Sequence, residues 1–141
     1  MSAILIDTGP IVALFDESER CHQQVVDCLA GLSARDRLHT SLAVITEATY
    51  LLDFNLAKQL ECLRWCGKGG VFIEPIEPSD MAAIHALMSK YHDLPMDFAD
   101  ATLVLLADRL ATREILTLDR TDFGIYRNVK GKPFLNRLSV H

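Results

Sequence analysis

Ala3-Ile4-Leu5-Ile6-Asp7-Thr8-Gly9-Pro10 decides the fold class. Ala3 to Ile6 is an apolar run of strand length, and a strand apolar at every position is buried on both faces. Asp7-Thr8-Gly9-Pro10 breaks it, and Ile11 to Phe15 reads as a short helix with Pro10 near its first turn. The alternation continues outward. Helical spacing covers Glu19 to Leu32, ending near Gly31 and Ser33, and Leu38-His39-Thr40 reads as a short second strand. Ala43 to Asp53 and Leu56 to Cys66 read as helices, the second closed by Gly67, Gly69 and Gly70. Val71-Phe72-Ile73 is a strand, Ser79 caps a helix to about Tyr91, and Asp97 opens another to about Ala111. Ile115 to Leu118 is a strand, and the remainder reads as irregular with one more strand. Short apolar strands between helices predict βαβ units and an α/β fold, a parallel sheet covered on both faces. Sites in such folds form at the carboxyl ends of the strands. Asp7 and Asp119 both follow predicted strands.

A chain of 141 residues suits one domain, expected to span 1–141, and half its residues are hydrophobic. The longest strongly apolar stretch, Ala101 to Ala107, is too short to span a bilayer. The start lacks the basic residues and long apolar segment of a signal peptide. No membrane association and a cytoplasmic location are therefore expected. Cys21, Cys28, Cys62 and Cys66 read as buried reduced thiols, since the chain can build a core without disulfides. The net charge of −5 argues against binding nucleic acid by bulk charge alone. Residues 120–141 nevertheless hold five basic residues (Arg120, Arg127, Lys130, Lys132 and Arg137) against one acid, Asp122, a sum of +4 beside −9 in the rest. A basic segment beside an acidic body suits a metal-using enzyme with a polyanionic substrate, and equally a solvated surface.

Asp7 alone decides nothing, because Asp also serves as a turn residue or helix cap. Glu47 says more. In a helix over 43–53, Val44, Glu47, Ala48 and Leu51 share a stripe, so Glu47 interrupts an apolar face. A buried carboxylate must be protonated, paired or bound to a cation, and a salt bridge explains Glu47 as well as a metal does. Asp97 and Asp100 sit three apart on one side of a helix. Asp97 as N-cap with Asp100 at the third helical position is an ordinary capping pair. Held together, however, two carboxylates repel unless a cation or proton separates them. Asp100 shares its stripe with Val104, Ala107 and Ala111, so it points inward and is the stronger metal ligand. Asp97 is a second contributor or a cap. Asp119 ends the 115–118 strand, and Asp122 is expected at the surface. Thr8, Thr46 and Thr117 each neighbour an acid, where a hydroxyl can fix carboxylate geometry or fill a routine strand or cap role.

Carboxylates are hard oxygen ligands, so this set suits Mg²⁺ or Mn²⁺ rather than zinc or copper. Such ions polarise a phosphate and activate water, which cleaves a phosphodiester without a covalent protein intermediate. The chain has no GxxxxGK[ST], GxGxxG or GxSxG motif.

In order, four segments make the set recognisable. Ile4-Leu5-Ile6-Asp7-Thr8-Gly9-Pro10 resembles the opening of a PIN domain, and Thr40-Ser41-Leu42-Ala43-Val44-Ile45-Thr46-Glu47 resembles its second acidic motif. Asp97-Phe98-Ala99-Asp100-Ala101 resembles the third, and Leu116-Thr117-Leu118-Asp119-Arg120-Thr121-Asp122-Phe123 the fourth. The resemblance covers nearly the whole chain and is nearest to the short VapC-type proteins, toxins of bacterial and archaeal toxin–antitoxin pairs. It implies a three-layer α/β/α sandwich with a central, mostly parallel sheet. It also implies a Mg²⁺- or Mn²⁺-dependent endoribonuclease that cuts RNA, forms a homodimer and is inhibited by a small antitoxin protein. Asp7, Glu47 and Asp100 would be the core metal-binding acids and Asp119 the fourth, with Asp97 competing with Asp100 for the third motif. Thr8 and Thr117 would support them.

Three other readings stand beside this one. A PIN-like module binding RNA or protein without cutting would not need the complete acidic set. A housekeeping RNA-processing nuclease would use the same carboxylates. A phosphatase or phosphoacceptor domain fits poorly, because Asp7-Thr8-Gly9 offers no second acid and the 115–118 strand ends in no Lys. The segments Glu19 to Leu32 and Ala43 to Leu63 carry apolar residues that suit either a core or a groove for an amphipathic helix.

Overall fold

The computed structural model describes residues 2–138, so the last three residues of the basic segment lie outside it. Five strands form one sheet: β1 (Ser2–Ile6), β2 (Asp36–Ser41), β3 (Phe72–Glu74), β4 (Glu114–Leu116) and β5 (Leu135–Asn136). Their order is β3-β2-β1-β4-β5, and every pairing is parallel. The mostly parallel sheet expected from sequence is thus parallel throughout its named strands. The antiparallel element is an isolated bridge between Arg127 and Pro133.

Seven α-helices among the described residues flank this sheet: α1 (Thr8–Phe15), α2 (His22–Ala30), α3 (Leu42–Leu51), α4 (Leu56–Gly67), α5 (Met81–Lys90), α6 (Phe98–Arg109) and α7 (Arg120–Ile125). Parallel strands need crossovers, and right-handed crossovers put helices on both faces of a sheet that grows in two directions. The chain builds outward from β1 through β2 to β3, then returns to the other side of β1 for β4 and β5. The switch point therefore lies between β1 and β4.

The core explains why β1 is central. Ile4, Leu5 and Ile6 are fully buried, with Leu5 paired to His39 on one side and Ile115 on the other. α6 is the other buried element: Ala101, Thr102, Leu103, Val104, Leu106 and Ala107 are all inside. Each buried Ile or Leu contributes about 1.5–3 kcal/mol.

Four local expectations are corrected. α2 starts at His22 rather than Glu19, because Asp16 accepts from Ser18 while Glu19 and His22 bond back into successive turns. Ser79 caps nothing. It lies in a 3-10 turn, Pro78–Asp80, where the Glu77 amide donates to the Asp80 carboxylate, and α5 begins after it. The segment after Asp119 holds the short helix α7 as well as a strand. Of the cysteines, all free, Cys62 alone is fully buried.

Candidate active site

β1 ends at Ile6 and β4 at Leu116, and the Asp7 amide donates to the Leu116 carbonyl at 3.0 Å. This fastens the two strand ends together at the switch point, where α/β folds bind ligands. Asp7 is the N-cap of α1, accepting from the Thr8 amide at 2.8 Å. Its other oxygen accepts from the Thr117 hydroxyl at 2.8 Å, and that hydroxyl in turn accepts from the Asp119 amide at 2.9 Å. Thr117 therefore clasps two acids from adjacent strand ends. Thr8 plays the matching part on the other side, its hydroxyl donating to Glu47 Oε1.

Glu47 arrives on α3, which continues directly from β2. Ser41 caps that helix, and its hydroxyl also bonds Thr102 of α6 at 2.8 Å. Val44 and Ala48 of the expected stripe are buried and Glu47 is half-buried, but Leu51 is 49% exposed at the helix end. Thr46 is exposed and bonds the Leu42 carbonyl of its own helix, so it supports no acid.

Asp97 is the exposed N-cap of α6, accepting from the Asp100 amide at 2.7 Å. The capping reading is thus realised for Asp97, and Asp100 turns inward. Asp119 caps α7 in the same way, accepting from the Asp122 amide at 3.0 Å. Asp122, expected at the surface, is half-buried instead. One carboxylate oxygen from each of Asp100, Asp119 and Asp122 lies within 4.8 Å of the others. Asp7 and Glu47 fall outside that tight set, yet Asp7 feels the charges of both Asp119 and Glu47. The sequence carried a signal for Asp122: Asp119 and Asp122 repeat the spacing of Asp97 and Asp100. The signal needed a helix there, and none was expected.

Tyr126 was missed for a different reason. Its hydroxyl donates to Asp100 Oδ2 at 3.0 Å from 26 residues away, which no local pattern reveals. Its ring is fully buried, edge-on to Tyr91 and Phe123 at 5.0 Å each.

Crowding shifts the acids. Burial first, then Asp119 and Glu47, push Asp7 up to about 6. Burial and the charges of Asp7, Asp97 and Asp119 push Asp100 up to about 8, against the opposing hydrogen bond from Tyr126. Burial and Asp119 raise Asp122 as well. Among the described residues, none of Asp7, Glu47, Asp97, Asp100, Asp119 and Asp122 forms an ion pair with Lys, Arg or His. Oxygen donors alone thus crowd this end of the sheet, with Asp100, Asp119 and Asp122 as a tight group and the charges of Asp7, Glu47 and Asp97 felt beside them. That is the donor set of a hard divalent ion.

A family model described as PIN domain matches residues 4–127. The chain is 34% identical over 133 residues to Ribonuclease VapC26 of Mycobacterium tuberculosis (strain ATCC 25618 / H37Rv), covering 93% of this chain and 97% of that one. Among solved structures it is similar to Mycobacterium tuberculosis VapC20, described as a sarcin-ricin loop cleaving toxin. The TM-score is 0.75 at 16% identity, over 84% of this chain and 91% of that one. It is also similar to a toxin-antitoxin complex from Klebsiella pneumoniae, with a TM-score of 0.66 at 18% identity over 97% and 99% of the two chains.

Proposed function

The chain belongs to the PIN-domain family, and from that premise we propose that it is a Mg²⁺- or Mn²⁺-dependent endoribonuclease, the toxin of a toxin–antitoxin pair. One observation carries the reading: Asp100, Asp119 and Asp122 converge beside the buried Asp7 at the sheet's switch point, and among the described residues none of them forms an ion pair with Lys, Arg or His. The relation to Ribonuclease VapC26 supports RNA as the substrate.

Asp7, Glu47, Asp97, Asp100 and Asp119, joined by Asp122, are the residues proposed to hold the ion. Bound there, it would polarise a phosphodiester oxygen and favour deprotonation of water. The chain's own groups supply the rest. Thr117 fixes Asp7 relative to Asp119, and Thr8 orients Glu47. Tyr126 occupies Oδ2 of Asp100 and leaves Oδ1 for the reacting centre. Burial and the neighbouring acids hold a proton on Asp100 in the metal-free protein, and a divalent ion bound there would displace it. Arg120, exposed at the first position of α7 beside Asp119, is proposed to meet a phosphate.

A partner belongs to this reading. Large apolar side chains stand exposed along α3, α4 and the turn between them: Tyr50 (70%), Phe54, Leu56, Leu60 and Leu63. α2 exposes none of comparable size. An apolar run on adjoining helices suits an amphipathic helix, and the antitoxin is its proposed occupant. The homodimer implied by the family would bury apolar surface of the same kind. Among the described residues no helix is long and apolar enough to cross a membrane. Four free cysteines suit a reducing compartment, and the cytoplasm is the proposed location.

The chemistry is tested by the ends it leaves. Attack by water predicts internal cuts in a mixed RNA pool with no 2′,3′-cyclic phosphate. Cyclic ends would assign the attack to the RNA's own 2′-hydroxyl and overturn this mechanism.

A further inference from the structure

The basic segment divides once it is folded. Arg127 donates to the carbonyls of Gly124, Ile125 and Tyr126 at the end of α7, and Arg137 pairs with Glu114 and Asp36. Those cations serve the chain itself. Lys130 and Lys132 are different: both are exposed, and neither forms an ion pair among the described residues. They sit on a turn that is held firmly. The Asn128 side chain accepts from the amides of both Lys130 and Lys132, its amide donates to the Lys132 carbonyl, and Gly131 takes the positive φ of 75° the turn requires. The Val129 amide donates to Asp108, which anchors the turn to the end of α6.

Arg113 completes the surface. One of its nitrogens donates to the Pro133 carbonyl at 3.1 Å, fixing the guanidinium beside the same turn. Arg113, Lys130 and Lys132 together line a depression of about 410 Å³, with Asp108 as its single acid. Three cations gathered around one held turn are unexpected on a chain of net charge −5. Its position is equally specific. Arg113 precedes β4 and Asp119 follows it, so strand geometry puts the cluster and the acids roughly 15–20 Å apart, at opposite ends of the sheet.

We propose that Arg113, Lys130 and Lys132 form a second RNA contact, which binds backbone phosphates at a distance from the acids that cut. This rests on the ribonuclease reading above. Phosphates bridge the two regions only on RNA that spans the gap, about four to six nucleotides of a stacked strand at ~3.4 Å each. The contact therefore favours RNA longer than about six nucleotides over a di- or trinucleotide. The contact is with charge and shape and carries no base preference.

The test is binding of a labelled RNA hairpin to Asp7→Asn protein, which holds RNA without cutting it, beside the same protein carrying Lys130→Glu and Lys132→Glu. Fluorescence anisotropy over a salt series reads the number of phosphate contacts. The two lysines are expected to lower the slope of log affinity against log salt by about 1.4, at ~0.7 for each contact to a single strand, and to weaken binding at least tenfold at low salt. With Asp7 intact, protein carrying only Lys130→Glu and Lys132→Glu is expected to cleave a trinucleotide, too short to reach the turn, as fast as the unaltered protein. An unchanged salt slope and affinity, with the unaltered protein still cutting RNA, would overturn this contact and leave the nuclease standing. Failure of the unaltered protein to bind or cut any RNA would overturn the nuclease reading itself, and this contact with it.

Discussion

Replacing Asp7 with asparagine should stabilise the metal-free protein while destroying its activity. Asp7 is 7% exposed and burial holds it at about 6, against an ordinary 3.8. At 1.36 kcal/mol per tenfold change in proton affinity, keeping this side chain ionised at pH 7 costs the folded state about 3 kcal/mol. Asparagine removes the charge and keeps the shape. It caps helices as well as aspartate does, so the bond from the Thr8 amide survives. Loss of a negative charge at the start of α1 returns up to ~1 kcal/mol, and loss of the oxygen that accepts from Thr117 about 1 kcal/mol more, leaving a net gain of about 1 kcal/mol. The sign with pH follows from proton binding. Between about pH 4 and 6 the folded protein holds a proton on Asp7 that the unfolded chain has released, so wild-type stability falls across that range and levels off above it. Below pH 4 both states are protonated and the cost disappears. Urea unfolding in EDTA, followed by the fluorescence of the single tryptophan, Trp65, should show a midpoint roughly 0.5 M higher for Asp7→Asn at pH 7. The gap should close near pH 4. A variant less stable than wild type at pH 7, or a gap independent of pH, would refute the reasoning.

Other consequences are equally direct. Adding Mg²⁺ or Mn²⁺ at a hundredfold excess over its dissociation constant should stabilise wild type by about 2.7 kcal/mol and Asp7→Asn much less, a difference readable in thermal melts. Tyr126→Phe leaves the packing against Tyr91 and Phe123 but frees Asp100, so calorimetry should find Mn²⁺ bound about ten- to a hundredfold more weakly. Gly70 lies against the indole of Trp65, where a Cβ would collide with the ring. Gly70→Ala should cost about 1–3 kcal/mol and shift the tryptophan emission, since the ring has to move.

How much of this was legible in sequence depended on range. β1 and α6 declared themselves, because Ala3 to Ile6 is wholly apolar and Ala101 to Ala107 is apolar nearly all round, as buried elements are. Asp7, Glu47, Asp100 and Asp119 were found as acids that interrupt or end such runs, and the structure brings them to one end of the sheet. α7 escaped because Arg120-Thr121-Asp122-Phe123-Gly124-Ile125 is too short for a helical period and contains a glycine. Losing α7 also lost Asp122, which reaches the acids only when the helix turns. Ser79 failed as a cap because Glu77 and Asp80 take over that function one turn earlier. Tyr126 and the lysine turn were beyond local reading, since both depend on contacts between distant segments.

The central claim is that these carboxylates cut RNA through a bound divalent ion. It is tested most directly by incubating purified protein with a mixed RNA pool in Mg²⁺, Mn²⁺ or EDTA, beside Glu47→Ala. The account predicts internal cleavage with either metal, none in EDTA, and at least a hundredfold loss in the variant. Cleavage that persists in EDTA, or that Glu47→Ala leaves intact, would contradict it.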